Sequence, residues 1–248
     1  MDLITERILG NLNIIKQKID QAAKSVGRNE NEIKLIAVSK AQPFNVISAA
    51  YHLGIVVFGE NYPEETLGKI YSAAEMGMDV EWHMIGHLQS RKAKIICENF
   101  DYMHSLDSLK IAHKLELCLQ EDDKILPVLL EFNVGGEESK YGWWAFDERK
   151  WEDFASDIGQ LITYRHLEIQ GIMTMPPLMT DPEEVRPYFV KLHKLQDFLM
   201  KRFPQANWNE LSMGTSLDYE VAIQEGSTFV RIGSALFGPR PYIEKMKE

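Results

Sequence analysis

Eight short apolar runs, separated by longer connecting stretches, divide this 248-residue chain. They are Ile33–Val38, Ile55–Gly59, Glu81–Ile85, Tyr102–Leu106, Pro127–Asn133, Glu168–Met173, Glu210–Ser212 and Thr228–Ile232. Runs this short, closed off by polar or turn-forming residues, read as strands. Between them, Phe44–Leu53, Glu64–Met76 and Val185–Phe203 carry apolar residues at helical spacing, and Asp107 and Asp147 stand where two more helices would take N-caps.

Strands alternating with helices imply parallel βαβ units, because a parallel crossover needs a connection of that length. Eight units close a barrel, whereas an open doubly wound sheet more often stops at about five or six strands. The expected fold is therefore α/β, a single (β/α)8 TIM-type barrel over residues 1–248 with an extra N-terminal helix. In that helix Ile4, Ile8, Leu12, Ile15, Ile19 and Ala22 share one face, which suits packing on the chain's own barrel, and Gly27 ends it. No linker or internal repeat marks a second domain.

Charge narrows the partners. With 27 basic and 37 acidic residues the net charge is −10, which repels a phosphate backbone and argues against nucleic acid. Cys97 and Cys118 form no CxxC pair, so neither a disulfide framework nor a thiolate metal site is expected, and no His/Asp/Glu cluster has ligand spacing. The apolar run Ile125–Val134 is too short for a membrane span and contains Pro127 and Glu131; no secretory leader is visible. These features are read as those of a cytoplasmic protein without membrane contact, monomeric or at most weakly dimeric.

In such a barrel, chemistry sits where strands give way to βα loops. The first strand ends in Ala37-Val38-Ser39-Lys40. A lysine there is either a solvated loop residue or, if burial lowers its pKa, an amine able to attack a carbonyl. After the seventh run comes Ser212-Met213-Gly214-Thr215-Ser216, and after the eighth Gly233-Ser234. Small and hydroxyl residues in those two loops favour a phosphate cup over mere turn filling. Arg231 interrupts an apolar strand. It reads equally as a partner of a barrel carboxylate such as Glu131 or as a donor aimed at a ligand ring nitrogen.

These same residues fall in motifs that carry a resemblance. "AVSK" ending at Lys40, "FGENY" at 58–62, "WHMIGHLQ" at 82–89, "GIMTM" at 171–175 and the block Leu211–Gly238 occur together and in this order in the YggS/PROSC family of pyridoxal 5'-phosphate (PLP) homeostasis proteins. The chain resembles that family from about Ile33 to Arg240. The resemblance implies PLP held as a Schiff base on Lys40. It implies phosphate contacts from Ser212, Gly233 and Ser234 with backbone help from Met213 and Gly214, Arg231 facing the pyridine nitrogen, and Asn61 beside the cofactor. His83 would lie on a strand lining the same mouth, or serve as a core histidine. Ser90 precedes Arg91-Lys92 where the pattern more often has asparagine before the lysine, and Thr215 replaces a common methionine; neither touches the implied anchor.

"VRIGSALFG" is also similar to the N-terminal domain of alanine racemase. Racemisation needs acid/base groups on both faces of a carbanion, and in that enzyme a second domain supplies one of them; here the sequence ends soon after Gly238. An arginine at the pyridine nitrogen also disfavours the protonated, electron-withdrawing ring. The resemblance thus points to a PLP carrier that releases its cargo to an amine or to an apo PLP-dependent enzyme. The alternatives are a PLP-dependent amino-acid racemase, a Schiff-base aldolase without PLP, and a partner-binding protein that keeps PLP as a structural group. Lys140, in the glycine-bearing loop 133–142, is either a shuttle for the aldehyde or a surface lysine.

Overall fold

The computed structural model describes residues 2–239. Met1 and residues 240–248, including Arg240 where the family resemblance ends, lie outside the described residues.

Strands β1 (Lys34–Val38), β2 (Val57–Glu60), β3 (Glu81–Met84), β4 (Tyr102–Leu106), β5 (Leu126–Asn133), β6 (Leu167–Met173), β7 (Glu210–Thr215) and β8 (Phe229–Ile232) pair in parallel. The order runs β4-β3-β2-β1-β8-β7-β6-β5, and a β4–β5 pairing closes it into an eight-stranded barrel. The expected (β/α)8 barrel is thus the observed fold. The crossovers carry α2 (Phe44–His52), α3 (Pro63–Glu75), α4 (Ala93–Asn99), α5 (Leu109–Glu121), α6 (Ala155–Leu161), α7 (Arg186–Arg202) and α8 (Tyr219–Gln224), and the four-residue α9 (Ser234–Phe237) follows β8.

The N-terminal helix, α1 (Leu3–Ser25), precedes the barrel. Asp2 caps it by accepting from the Ile4 and Thr5 amides, both at 2.9 Å. Its buried face is Ile8, Leu12, Ile15, Ile19, Ala22 and Ala23, and it packs on α2, α8 and α9. Gly27, at φ +72°, turns the chain away, as its position predicts.

Two apolar layers hold the barrel. The larger lies between strands and helices. A smaller one, Ile36, Tyr102, Leu129, Met173 and Phe229, takes one residue from each of five strands and sits inside. Several sequence expectations shift. β7 runs three residues further than Ser212. A two-residue strand at Trp143–Trp144 pairs with the end of β5. Asp107 does not cap α5, whose N-cap is Ser108; its carboxylate instead binds His87 Nδ1 at 2.6 Å and accepts from the Ser108 hydroxyl at 3.0 Å. Asp147 caps a 3-10 turn, Glu148–Phe154, that leads into α6.

Among the described residues no helix is long and apolar enough to cross a membrane. Cys97 and Cys118 are free thiols on α4 and α5.

Candidate functional site

The strand ends at the C-terminal mouth of the barrel enclose a cleft of about 250 Å³. Lys40 and Val38 enter it from β1, Asn61 from just past β2, Ile85 from past β3, and Met175 and Leu178 from past β6. Thr215, Ser216 and Leu217 come from the end of β7, and Arg231, Gly233 and Ser234 from β8. A second cleft of about 450 Å³ adjoins it and shares Asn61, Ile85 and Met175; its far wall holds His87, Glu131, Lys140 and Tyr141.

The backbone around Lys40 is pinned on both sides. The Ser39 amide donates to the Gly59 carbonyl at 3.0 Å, continuing the ladder past β1. The Ser39 hydroxyl donates to Glu60 Oε1 at 2.6 Å, and the buried Lys69 ammonium donates to both the Ser39 carbonyl (2.9 Å) and Glu60 Oε1 (2.8 Å). On the other side, the Ala41 amide donates to Glu65 Oε1 at 3.1 Å, with Ala41 at φ +59°, a left-handed backbone that a non-glycine residue seldom adopts. Lys40 is thus presented from a fixed corner of the chain.

Opposite Lys40 the β7 and β8 loops form a polar cup. Ser216 Oγ accepts from the Gly233 amide at 3.1 Å and the Ala235 amide at 3.2 Å, so two N–H groups and a hydroxyl gather at the start of α9. Asp218 braces this loop by accepting from the Thr215 amide and hydroxyl. Gly214, at φ +93°, turns tightly against α8; a Cβ there would come within 2.6 Å of Ala222 Cβ and 2.9 Å of Tyr219 Cα.

Arg231 is 3% exposed. Burial pulls its guanidinium down to about 10, against the pull of Asp218 and Glu131, so it stays cationic near neutrality. It donates to Ser212 Oγ (2.6 Å), the Thr174 carbonyl (2.9 Å) and Met175 Sδ (2.9 Å). Among the described residues it makes no ion pair with Glu131.

The structure therefore brings together six of the nine residues read from the sequence. Lys40, Asn61, Arg231, Gly233 and Ser234 line the cleft, and Gly214 shapes its loop. The other three do not line it. The Met213 side chain is fully buried in the outer core, which leaves open only the backbone contact that the resemblance implies for it. The Ser212 side chain lies beneath Arg231, bonded to it at 2.6 Å and to His104 Nδ1 at 2.9 Å. His83 is buried in the barrel interior, stacked on Tyr102, rather than at the mouth. Thr215 and Ser216, which the sequence offers only as part of the loop 212–216, also line the cleft.

These residues fit PLP. They offer an amine, a cup of small-residue amides and hydroxyls, and a cationic donor on one cleft. Asn61 Oδ1 adds a buried polar atom with no hydrogen-bond partner among the described residues.

The family model for the alanine racemase N-terminal domain matches residues 10–241. A pyridoxal phosphate homeostasis protein of Haemophilus influenzae is 40% identical over 232 residues, 94% of this chain and 95% of that protein. One of Aquifex aeolicus is 39% identical over 231 residues, 93% and 97% of the two chains. The solved structure of PipY from Synechococcus elongatus with PLP bound is 31% identical, with a TM-score of 0.76, covering 90% of this chain and all of that one. With its closed barrel and this cleft, the chain belongs to the family of pyridoxal phosphate homeostasis proteins.

Proposed function

We propose that the chain binds PLP covalently through Lys40 and acts in intracellular PLP homeostasis, handing the cofactor to apo PLP-dependent enzymes. One observation carries the reading: Lys40, the Ser216–Gly233–Ser234 cup and the Arg231 guanidinium converge on a single cleft. When bound, PLP supplies an aldehyde that forms a reversible covalent bond with a primary amine. Lys40 is the amine that anchors it. The hydroxyls of Ser216 and Ser234 would be donors for its phosphate, joined by the Gly233 and Ala235 amides if these turn from Ser216 Oγ to the anion. Arg231, cationic near neutrality, would donate to the ring nitrogen and disfavour its protonation, which would weaken electron withdrawal and favour holding over turnover. Asn61, which lines the same cleft with a buried Oδ1 lacking a partner among the described residues, would be a further contact.

We place the protein in the cytoplasm as a single-domain monomer, with no nucleic acid, membrane or metal partner. The test is an absorbance spectrum after PLP is added, then borohydride reduction and peptide mass mapping. A new band and a phosphopyridoxyl mass on Lys40, both lost in Lys40→Ala, are expected. No band and no adduct would remove the proposal. Optical rotation of an added pure amino acid should stay constant; its decay would favour a racemase.

A further inference from the structure

The barrel interior contains a continuous polar chain that the cofactor reading does not use. Arg231 donates to Ser212 Oγ at 2.6 Å, Ser212 Oγ lies 2.9 Å from His104 Nδ1, His104 Nε2 lies 2.9 Å from His83 Nδ1, and His83 Nε2 lies 2.7 Å from Glu81 Oε1. It crosses the barrel from the cleft wall on β8, through β7, β4 and β3, to a carboxylate about half exposed at the opposite, N-terminal end. Ser212, His104 and His83 are at most 1% exposed, so each depends on its neighbours for hydrogen bonds.

The two ends fix the direction of every bond. A guanidinium has no acceptor, so Ser212 Oγ accepts from Arg231 and has its own proton to give. An ionised carboxylate has no donor, so His83 Nε2 must carry a proton. Where each ring carries one proton, His83 Nδ1 is then an acceptor, His104 Nε2 is the donor to it, and His104 Nδ1 accepts the Ser212 hydroxyl. Burial above all disfavours a charged His104, so that ring carries a single proton. Among the described residues, the ionisable groups that also act on this stack are Lys34, which lies over the Phe229 ring and pairs with Glu210 at 3.2 Å, Asp101, which acts on Glu81 and His83, and Glu168, which acts on the buried Tyr102.

We propose that Glu81 and His83 are positioning residues for Arg231: they fix the His104 tautomer, and through it they hold the Ser212 hydroxyl as the acceptor that orients the guanidinium in the cleft. A donor placed at position 81 would reverse the series. His83 would then protonate on Nδ1 and His104 on Nδ1. Ser212 Oγ would face two donors with its own proton displaced, and its hold on Arg231 would change. Only the last link, from Arg231 to a ligand ring, rests on the PLP reading.

The experiment uses the full chain without added PLP, labelled with 15N, and reads ring tautomers from long-range 1H–15N spectra. For His83 and His104 the expected pattern is a protonated Nε2 and a bare Nδ1. In Glu81→Lys both rings should invert to the Nδ1-protonated form. In Glu81→Leu, which only removes the acceptor, the fixed tautomer at His104 should be lost. A protonated Nδ1 on His104 in the unsubstituted chain, or a tautomer unchanged by both substitutions, would overturn the relay. Adding PLP then reads the last link: the absorption maximum of the Lys40 adduct should shift in Glu81→Lys, and an unchanged maximum would refute the coupling to the cleft. A wild-type chain with the expected tautomers but no PLP band would sink the cofactor reading and leave the relay standing.

Discussion

The Lys69 ammonium donates to the carbonyl oxygen of Ser39 at 2.9 Å, one peptide before the lysine proposed to anchor PLP. The same ammonium shares Glu60 Oε1 with the Ser39 hydroxyl, and both charged side chains are buried. Burial pushes the Glu60 carboxyl up, and Lys69 and Ser39 pull it back. Lys69→Met should therefore strand a buried carboxyl and cost about 3–5 kcal/mol, read as a lower urea midpoint. Adding Glu60→Gln should recover much of that loss. Capture of PLP by Lys40 should slow in the single variant, because the corner that presents Lys40 loses its brace.

Gly86 presses against Asn61 from the next βα loop. A Cβ on Gly86 would lie 2.7 Å from the Asn61 carbonyl oxygen and 2.8 Å from its Cα, and backbone cannot yield as a flexible side chain can. Gly86→Ala should cost about 1–3 kcal/mol and weaken PLP binding by moving Asn61. Gly10→Ala is the control. Nothing lies within 4 Å of its added methyl in α1, so it should stabilise by about 0.5–1 kcal/mol without touching the cleft.

Most of the fold was legible because β1 to β8 differ in period and length from the helices around them. Where the sequence was less legible, the cause was pairing: a strand's end, and which of its residues meet across the barrel, are set by ladder partners and not by its own residues. Ser212 reads as the start of a polar loop, yet β7 continues to Thr215, where it pairs with Arg231. That leaves Ser216, rather than Ser212, as the serine of this loop that lines the cleft. His83 stands in a mouth-like motif, but alternation turns it into the barrel, and only pairing with β4 reveals His104 beside it. Lys40 was legible because it directly follows a buried strand. Its brace was not, since Lys69 comes from α3, 30 residues away in sequence from Ser39.

Glu131 in the adjoining cleft should make stability depend on pH. Burial, and then the neighbouring Asp107, raise its carboxyl to about 7 from an ordinary 4.5, with Arg231 and Lys140 opposing. The folded state thus binds a proton that the unfolded chain releases near 4.5. Below that value Glu131 makes no difference; between 4.5 and about 7 native stability falls as pH rises. Above 7 the full penalty stands, up to about 3 kcal/mol. Glu131→Gln should remove this dependence and gain stability at pH 8 but not at pH 4, measured by denaturation at both.

Ser216 and Ser212 make opposed predictions about which serine meets the phosphate. Ser216→Ala removes a hydroxyl at the cup but leaves Arg231 and its support intact, so PLP affinity should drop by about ten- to a hundredfold. Pyridoxal, which lacks the phosphate, should bind Lys40 as before. Ser212→Ala instead takes an acceptor from a buried guanidinium and a partner from His104. It should destabilise the fold and weaken PLP and pyridoxal alike, because it acts through Arg231 at the ring end. If Ser212→Ala affected PLP alone and Ser216→Ala affected neither ligand, the cup would have to be placed at Ser212 after all. Parallel titrations of the two variants with both aldehydes decide between them.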